Sequence, residues 1–261
     1  MSSKLSLQSA HLPPTPLQGA VEAAIAAGYR HIDTAHSYKN EVEIGKALIS
    51  KMKQGIIRRE DMFIVSKLWC TFHAPEDITW WFDHMKLSGC LFFMLLLCLQ
   101  GMEALKASGK VKSIGVSNFS ILQLERLLAL CRVPPAVHQV ELHPYLVQSD
   151  MISFCKSKNI ALTAYSPFGS PARPPELFRG DTDPKKLLED PVVAEIAKKH
   201  RRSPAQVLLR YHVQQGVSVI PKSDKPFEGA CNWHADSRNV NQSCCSCIEC
   251  SFLYHKRSPK V

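Results

Sequence analysis

Six short apolar or β-branched runs, each followed by a stretch with helical periodicity, constrain the fold of this chain more than any other feature. None of them alternates strictly between polar and apolar residues, which is typical of strands buried on both faces of a parallel sheet. The runs occupy residues 29–35, 62–69, 111–119, 136–145, 160–168 and 217–223. Strands that alternate with helices predict parallel pairing with right-handed crossovers. Because no Gly-x-Gly-x-x-Gly follows the first run, a (β/α) barrel is favoured over an open sheet.

Polar side chains follow these runs at the end where a barrel gathers its chemistry. Any one of them is explained by strand ends that face water, but together they suit proton transfer and the binding of phosphate or amide groups. They are Asp33, Tyr38, Lys67, Trp69, Ser117, Asn118, Gln139, His143, Tyr165, Ser166, Lys222 and Ser223. The set contains neither a metal-ligand cluster nor a nucleophile elbow, so we expect no metal site among them.

The net charge of +9 favours an anionic partner, which nucleic acid, an acidic membrane surface and a phosphorylated cofactor would all satisfy. The N-terminus lacks the apolar core of a secretory signal. No window reaches the roughly 18 to 20 apolar residues that span a bilayer. We therefore expect a soluble cytoplasmic protein whose ten cysteines are reduced thiols.

Three ordered segments carry a resemblance to a known family. They are GYRHIDTAHSYKNEVEIG at 28–45, MEALKASGKVKSIGVSNF at 102–119 and VIPKS at 219–223. With these segments the chain strongly resembles the aldo-keto reductases, over most of residues 17–79 and 101–226. The resemblance implies a monomeric (β/α)8 TIM barrel that reduces aldehydes or ketones, which are small-molecule carbonyl substrates, with NADPH and forms NADP+.

The same resemblance implies roles for three residues at the strand ends. Tyr38 would be the general acid that protonates the carbonyl oxygen as hydride arrives at the carbon. Lys67 would supply a nearby ammonium, which stabilises phenolate and lowers the tyrosine pKa from its ordinary value near 10. Asp33 would pair with Lys67 and hold it in place. This arrangement puts a polarised proton donor where negative charge develops.

Cofactor and substrate contacts are also implied by the matching motifs. One group would hydrogen-bond the nicotinamide carboxamide, and it comprises Ser117, Asn118 and Gln139. Tyr165 would stack on the nicotinamide ring. Lys222 and Ser223 would contact the 2′-phosphate, which accounts for a basic charge balance without nucleic acid. Trp69 would line the substrate pocket.

The chain departs from the family pattern at the first and fourth barrel strands. The segment HLPPTPLQ runs almost directly into the first helix, so the first strand is predicted to be missing or replaced. Residues 80–100 are atypical, and the catalytic histidine that the family carries after its fourth strand has no counterpart there. His84 lies in a context without a preceding strand. The apolar block Leu91–Leu99 has sufficient length to replace the fourth strand.

A second departure begins after Pro226, where the resemblance ends. Residues 1–226 are predicted to form the oxidoreductase domain, and 227–261 a disordered, cysteine-rich tail. Glu228 occupies the position at which the family places a phosphate-binding arginine. The tail carries Cys-x-x-Cys-x-x-Cys ending at Cys250, which invites a zinc interpretation. A structural zinc site usually pairs two knuckles, and the second is absent from the sequence.

Three functional hypotheses follow from these observations. The first is an NADPH-dependent carbonyl reductase with Tyr38 as the general acid. The second is a catalytically impaired member of the same family that binds nucleotide weakly at most. The third, which the sequence favours least, is a zinc or nucleic-acid binding module built on the cysteine-rich basic tail. The family's activity is our predicted function, with no nucleic-acid or membrane partner.

Overall fold

The structure is a computed structural model that describes residues 7–9, 14–68, 91–94, 99–171 and 187–222. Several features singled out in the sequence lie outside these ranges. They are Trp69, Ser223, His84, Glu228 and the cysteine-rich segment 227–261. None of the helices within the described ranges is long and apolar enough to cross a membrane.

Within the described residues, eight parallel strands form one sheet whose spatial order follows the chain, from β1 to β8. They are β1 (Leu7–Gln8), β2 (His31–Asp33), β3 (Phe63–Lys67), β4 (Leu91–Met94), β5 (Val111–Ser117), β6 (Val137–Glu141), β7 (Ala161–Tyr165) and β8 (Ser218–Ile220). Every neighbouring pair is parallel. The predicted α/β class, the parallel pairing and all six predicted strands are confirmed.

Helices connect most of the strands. They are α1 (Pro14–Ala26), α2 (Glu41–Lys53), α3 (Leu99–Ala107), α4 (Ile121–Leu130), α5 (Ser149–Ser157), α6 (Pro191–His200) and α7 (Pro204–Gln214). Two helix starts are closed by reciprocal capping boxes: Ser120 with Gln123 before α4, and Ser203 with Gln206 before α7. The apolar faces of these helices meet the sheet in a core that includes Leu17, Ile32 and Leu208, each 0% exposed.

The fourth strand position is filled from within the apolar block of the sequence. Residues Leu91–Met94 pair with β3 on one side and with β5 on the other. The last residue of the block, Leu99, is the first residue of α3. A strand that lies between two neighbours in a parallel sheet is buried, and burying an unpaired charge is costly. A short apolar run without charges is therefore suited to this position.

In the described part of the chain the first strand position is occupied by Leu7 and Gln8, which pair with Ile32 and Asp33. Within the described residues, β1 and β8 share no ladder. Within the described residues, one backbone bond joins the two edges of the sheet, from the Gln8 N–H to the Pro221 carbonyl at 3.0 Å. The described part of the barrel is therefore not closed by a strand ladder between β1 and β8, and a strand does occupy the first position, which the sequence predicted to be missing or replaced.

Two buried histidines are held uncharged by the core. His212 is 0% exposed, and within the described residues neither of its ring nitrogens has a hydrogen-bond partner. Burial, with a smaller contribution from His143, lowers the pKa of His212 to about 3. His138 accepts the Phe119 N–H at 3.0 Å through Nε2, and burial lowers its pKa to about 4. Both rings must stay neutral in the folded protein.

Acid should therefore destabilise the fold through His212. The native pKa is depressed below the unfolded value near 6.5, so the unfolded chain binds the extra proton as the pH falls from about 6.5 to about 3. Between about pH 7 and pH 5, we expect the free energy of unfolding to fall by about 2 kcal/mol more in the wild type than in the His212→Phe variant, as measured by urea denaturation. The control is His200→Gln, at the end of α6. An equal fall in the free energy of unfolding with decreasing pH in the wild type and in His212→Phe would contradict this prediction.

Candidate active site

An ion pair lies at the carboxyl ends of β2 and β3. Asp33 is the last residue of β2 and Lys67 the last of β3, and parallel neighbours place these ends side by side. The Lys67 Nζ donates to Asp33 Oδ1 and, at 2.9 Å, to the carbonyl oxygen of Thr34. The Asp33 side chain is 0% exposed and that of Lys67 is 15% exposed. Two acceptors therefore fix the direction in which the ammonium points.

Gln139 on β6 completes the hydrogen bonding of the same carboxylate. Its Nε2 donates to Asp33 Oδ2 at 2.8 Å. The strands β2 and β6 are four positions apart in the sheet order, which is about 19 Å in a flat sheet. A direct contact between them requires the sheet to curl. Curling brings the strand ends into one cluster around Asp33.

Tyr38 lies beside this cluster on a single 3₁₀ turn, His36–Tyr38, that follows β2. The Lys67 Nζ is 5.6 Å from the centroid of its ring. Burial, reinforced by the Asp33 carboxylate, raises the pKa of Tyr38 well above 10, although the Gln8 side chain hydrogen-bonds the phenol and acts in the opposite direction. The lowered pKa expected from the sequence is wrong. The Lys67 ammonium is bound to Asp33 and Thr34, so the cost of burying a phenolate dominates.

The ends of β5 and β7 contribute hydroxyl and amide groups. The Ser117 hydroxyl donates to the carbonyl oxygen of Gln139 at 2.9 Å. Asn118 adopts a left-handed backbone conformation with φ of 59°, and its Oδ1 accepts from the Tyr165 hydroxyl at 3.0 Å. Lys222 lies two residues past the end of β8 and is half-buried. Hydrogen bonds thus join sequence-predicted residues at the ends of β2, β3, β5, β6 and β7.

The matching family model describes the aldo/keto reductase family, and it aligns with residues 3–87 and 71–235. The chain belongs to the aldo/keto reductase family. Among its relatives are rabbit (Oryctolagus cuniculus) prostaglandin-E(2) 9-reductase, 40% identical over 246 residues, and human (Homo sapiens) aldo-keto reductase family 1 member C1, 40% identical over 248 residues. The matches cover 81% and 82% of this chain and 75% and 76% of the two relatives.

A fish relative extends the same similarity. Aldo-keto reductase family 1 member A1-A of Danio rerio is 38% identical over 246 residues, covering 82% of this chain and 75% of that protein. The resemblance recognised in the sequence is therefore confirmed. This family consists of oxidoreductases, and membership supports reduction of small carbonyl compounds with a nicotinamide cofactor.

His143 does not join the cluster around Asp33. It follows β6, is 3% exposed, and places Nε2 at 3.6 Å from Glu141 Oε1. Its electrostatic influence falls on His212 of α7. Nor does any group of three or more His, Cys, Asp or Glu side chains within the described ranges form an arrangement that could hold a metal ion.

Three polar residues that the sequence did not single out also belong to this region. Thr34 provides the carbonyl that receives Lys67, and Asn40 is 1% exposed next to it. Glu41 accepts the Ser66 hydroxyl at 2.9 Å, which ties α2 to β3. All three belong to the segment 28–45 that carried the resemblance. The sequence signal for these residues is the run of polar residues that follows Asp33 in the short connection between β2 and α2.

Proposed function

We propose that this aldo/keto reductase reduces aldehydes or ketones to alcohols with NADPH, and that Tyr38 is the general acid. The observation that carries the proposal is the buried Asp33–Lys67 ion pair with the Tyr38 ring 5.6 Å from the ammonium. A carbonyl oxygen that gains negative charge beside these groups is stabilised by the Lys67 cation and receives a proton from the Tyr38 phenol.

Burial raises the pKa of Tyr38 and so weakens the phenol as an acid, but the phenol stays protonated at neutral pH and carries the proton to be transferred. After transfer, the phenolate lies close to the Lys67 ammonium, which offsets part of the cost of burying its charge. Asp33 orients that ammonium without competing for the substrate, since both of its oxygens are hydrogen-bonded.

The residues around Gln139 fit a nicotinamide carboxamide, which presents one carbonyl and one amino group. With its Nε2 on Asp33, Gln139 retains Oε1 as an acceptor. Asn118 uses Oδ1 for Tyr165 and retains its amino group as a donor. We propose that these two amides and Ser117 hold the carboxamide, while the Tyr165 ring stacks on the nicotinamide. When bound, the cofactor supplies the hydride.

Other contacts remain part of the proposal. Lys222, with Ser223, would bind the 2′-phosphate that distinguishes NADPH from NADH, and Trp69 would line the substrate pocket. We propose a cytoplasmic monomer that acts on a small carbonyl compound, without nucleic-acid or membrane partners. Catalytic impairment is the second candidate. It is favoured by residues 80–100, whose sequence offers no counterpart of the family's catalytic histidine.

The proposed function is tested by titrating NADPH into the protein while following intrinsic tryptophan fluorescence, and then by assaying a generic aldehyde. Micromolar binding with turnover would support the reductase, and binding without turnover the impaired alternative. We expect the Lys222→Met variant to bind NADPH about 10- to 100-fold more weakly with little change for NADH, because one charge-assisted phosphate contact is lost. Lys199→Met, at the exposed end of α6, is the control. Equal weakening for both cofactors would contradict the assignment of Lys222.

A further inference from the structure

We propose that Asn40 is a positioning residue that holds Tyr38 in register with Lys67. The inference deepens the proposed function and rests on it, since it concerns the placement of the general acid. Asn40 lies two residues after Tyr38 and is 1% exposed. Neither the family match nor the residues singled out in the sequence assigns it a role.

The Asn40 side chain makes three hydrogen bonds, all to the interior. Its Nδ2 donates to the Ser9 carbonyl oxygen at 2.8 Å. Its Oδ1 accepts from the Thr34 hydroxyl at 3.2 Å and lies 3.5 Å from the Ser9 hydroxyl. Ser9 and Thr34 are both 0% exposed. The amide therefore ties the start of α2 to the residues that follow β1 and β2.

Asn40 lies at a position where its side chain would be expected to cap a helix rather than to contact the core. Asn40 is the N-cap residue of α2, where asparagine commonly accepts a hydrogen bond from the first helical turn. Here its side chain makes no capping hydrogen bond. The Asn40 amide, which could stabilise α2 as a cap, instead points inward to Ser9 and Thr34. Helix stability alone does not explain this orientation of the side chain.

Thr34 connects Asn40 to the catalytic ion pair. The Thr34 hydroxyl donates to Asn40, and the Thr34 carbonyl accepts the Lys67 ammonium at 2.9 Å. Thr34 thus contacts both Asn40, at the end of the Tyr38 loop, and the Lys67 ammonium, which faces the Tyr38 ring. The relative placement of phenol and ammonium is determined through this shared residue.

The Tyr38 loop has little structure of its own to hold it. It consists of one 3₁₀ turn followed by Lys39, whose φ of 51° is uncommon for a residue with a side chain. Two backbone bonds close the turn, Tyr38 N–H to Ala35 at 3.0 Å and Lys39 N–H to His36 at 3.2 Å. Asn40 attaches the exit of this turn to the core, in addition to the Gln8 hydrogen bond to the Tyr38 phenol.

The chemistry of the site requires an amide. The Ser9 carbonyl needs a donor and the Thr34 hydroxyl needs an acceptor, and an asparagine side chain offers both on one rigid plane. Aspartate has nearly the same shape but would direct a carboxylate oxygen at the Ser9 carbonyl. The Asn40→Asp variant therefore removes the interaction with the least change in volume.

The experiment compares Asn40→Asp and Thr34→Val with the wild-type chain. Ile44→Val is the control, since it removes one buried methylene from α2 without touching the loop. We expect kcat for an aldehyde to fall about 10- to 100-fold in Asn40→Asp and less in Thr34→Val. KM for NADPH should stay within about twofold. The control should lose stability with kcat unchanged.

Ionisation of Tyr38 gives a readout that does not require turnover. The near-ultraviolet absorbance of tyrosinate is titrated for each protein and for its Tyr38→Phe partner, and the difference isolates Tyr38. In the wild type this phenol should remain protonated at about pH 10, whereas in Asn40→Asp it should begin to ionise there as the loop opens to water.

The two readouts separate the failure of this inference from the failure of the proposed function. If the wild type shows no turnover, the proposed function fails, and the ionisation of Tyr38 still decides the role of Asn40. An unchanged ionisation curve in Asn40→Asp and Thr34→Val overturns the inference, as does a loss of stability with kcat unaltered. If Asn40→Asp does not fold, Thr34→Val alone decides between these outcomes by the same two measurements.

Discussion

Replacing Lys67 with methionine is expected to abolish measurable turnover and to lower the free energy of unfolding by about 3–5 kcal/mol. The substitution leaves the fully buried Asp33 carboxylate with Gln139 as its remaining side-chain partner and no compensating cation. It also removes the charge that faces the Tyr38 ring. Urea denaturation and an aldehyde assay with NADPH measure the two effects on the same sample.

A double variant separates stability from catalysis. Asp33→Asn combined with Lys67→Met replaces the ion pair by neutral groups of similar size, and we expect it to regain most of the lost stability while remaining inactive. Lys53→Met, on the exposed end of α2, controls for loss of a positive charge elsewhere. If the double variant were as unstable as Lys67→Met alone, the buried charge of Asp33 would not be the cause of the instability.

Replacing Tyr38 with phenylalanine is expected to lower kcat by about 10²- to 10⁴-fold, the usual contribution of a positioned proton donor. The change removes one hydroxyl group and keeps the ring that faces Lys67. NADPH affinity should therefore stay within about threefold. Steady-state kinetics and the fluorescence titration measure these two quantities.

The control for this variant is Tyr145→Phe. The Tyr145 hydroxyl donates to Asp190, the N-cap residue of α6, and so it lies in a hydrogen bond of similar kind outside the Asp33 cluster. We expect kcat to be unchanged there. A Tyr38→Phe variant that keeps more than about a tenth of the wild-type kcat would exclude Tyr38 as the general acid.

Most of the fold could be predicted because buried parallel strands leave a plain signal. The runs that contain β2, β3 and β5 to β8 lack strict polar–apolar alternation, and helical segments lie between most of them. The two described residues of β1 are too few to show a periodicity. The length of the apolar block that contains β4 indicates a replacement strand, but the pairing of β4 with β3 and β5 is not displayed by the sequence.

Some features of the candidate site could be predicted from the sequence and others could not. The ion pair of Asp33 and Lys67 followed from the resemblance, and the structure joins these residues as that resemblance implied. The pKa of Tyr38 was predicted in the wrong direction, because burial and competing partners for Lys67 are properties of the folded protein. The sequence does not single out Asn40, for a related reason. Its side chain contacts Ser9 and Thr34, and separation along the chain does not reveal which polar groups meet.

The strand β4 contributes to the sheet through its backbone. Its pairing with Val65 through Lys67 on one side, and with β5 on the other, is made by backbone groups that every residue carries. This place in the sheet therefore requires an apolar segment of sufficient length rather than one particular set of side chains.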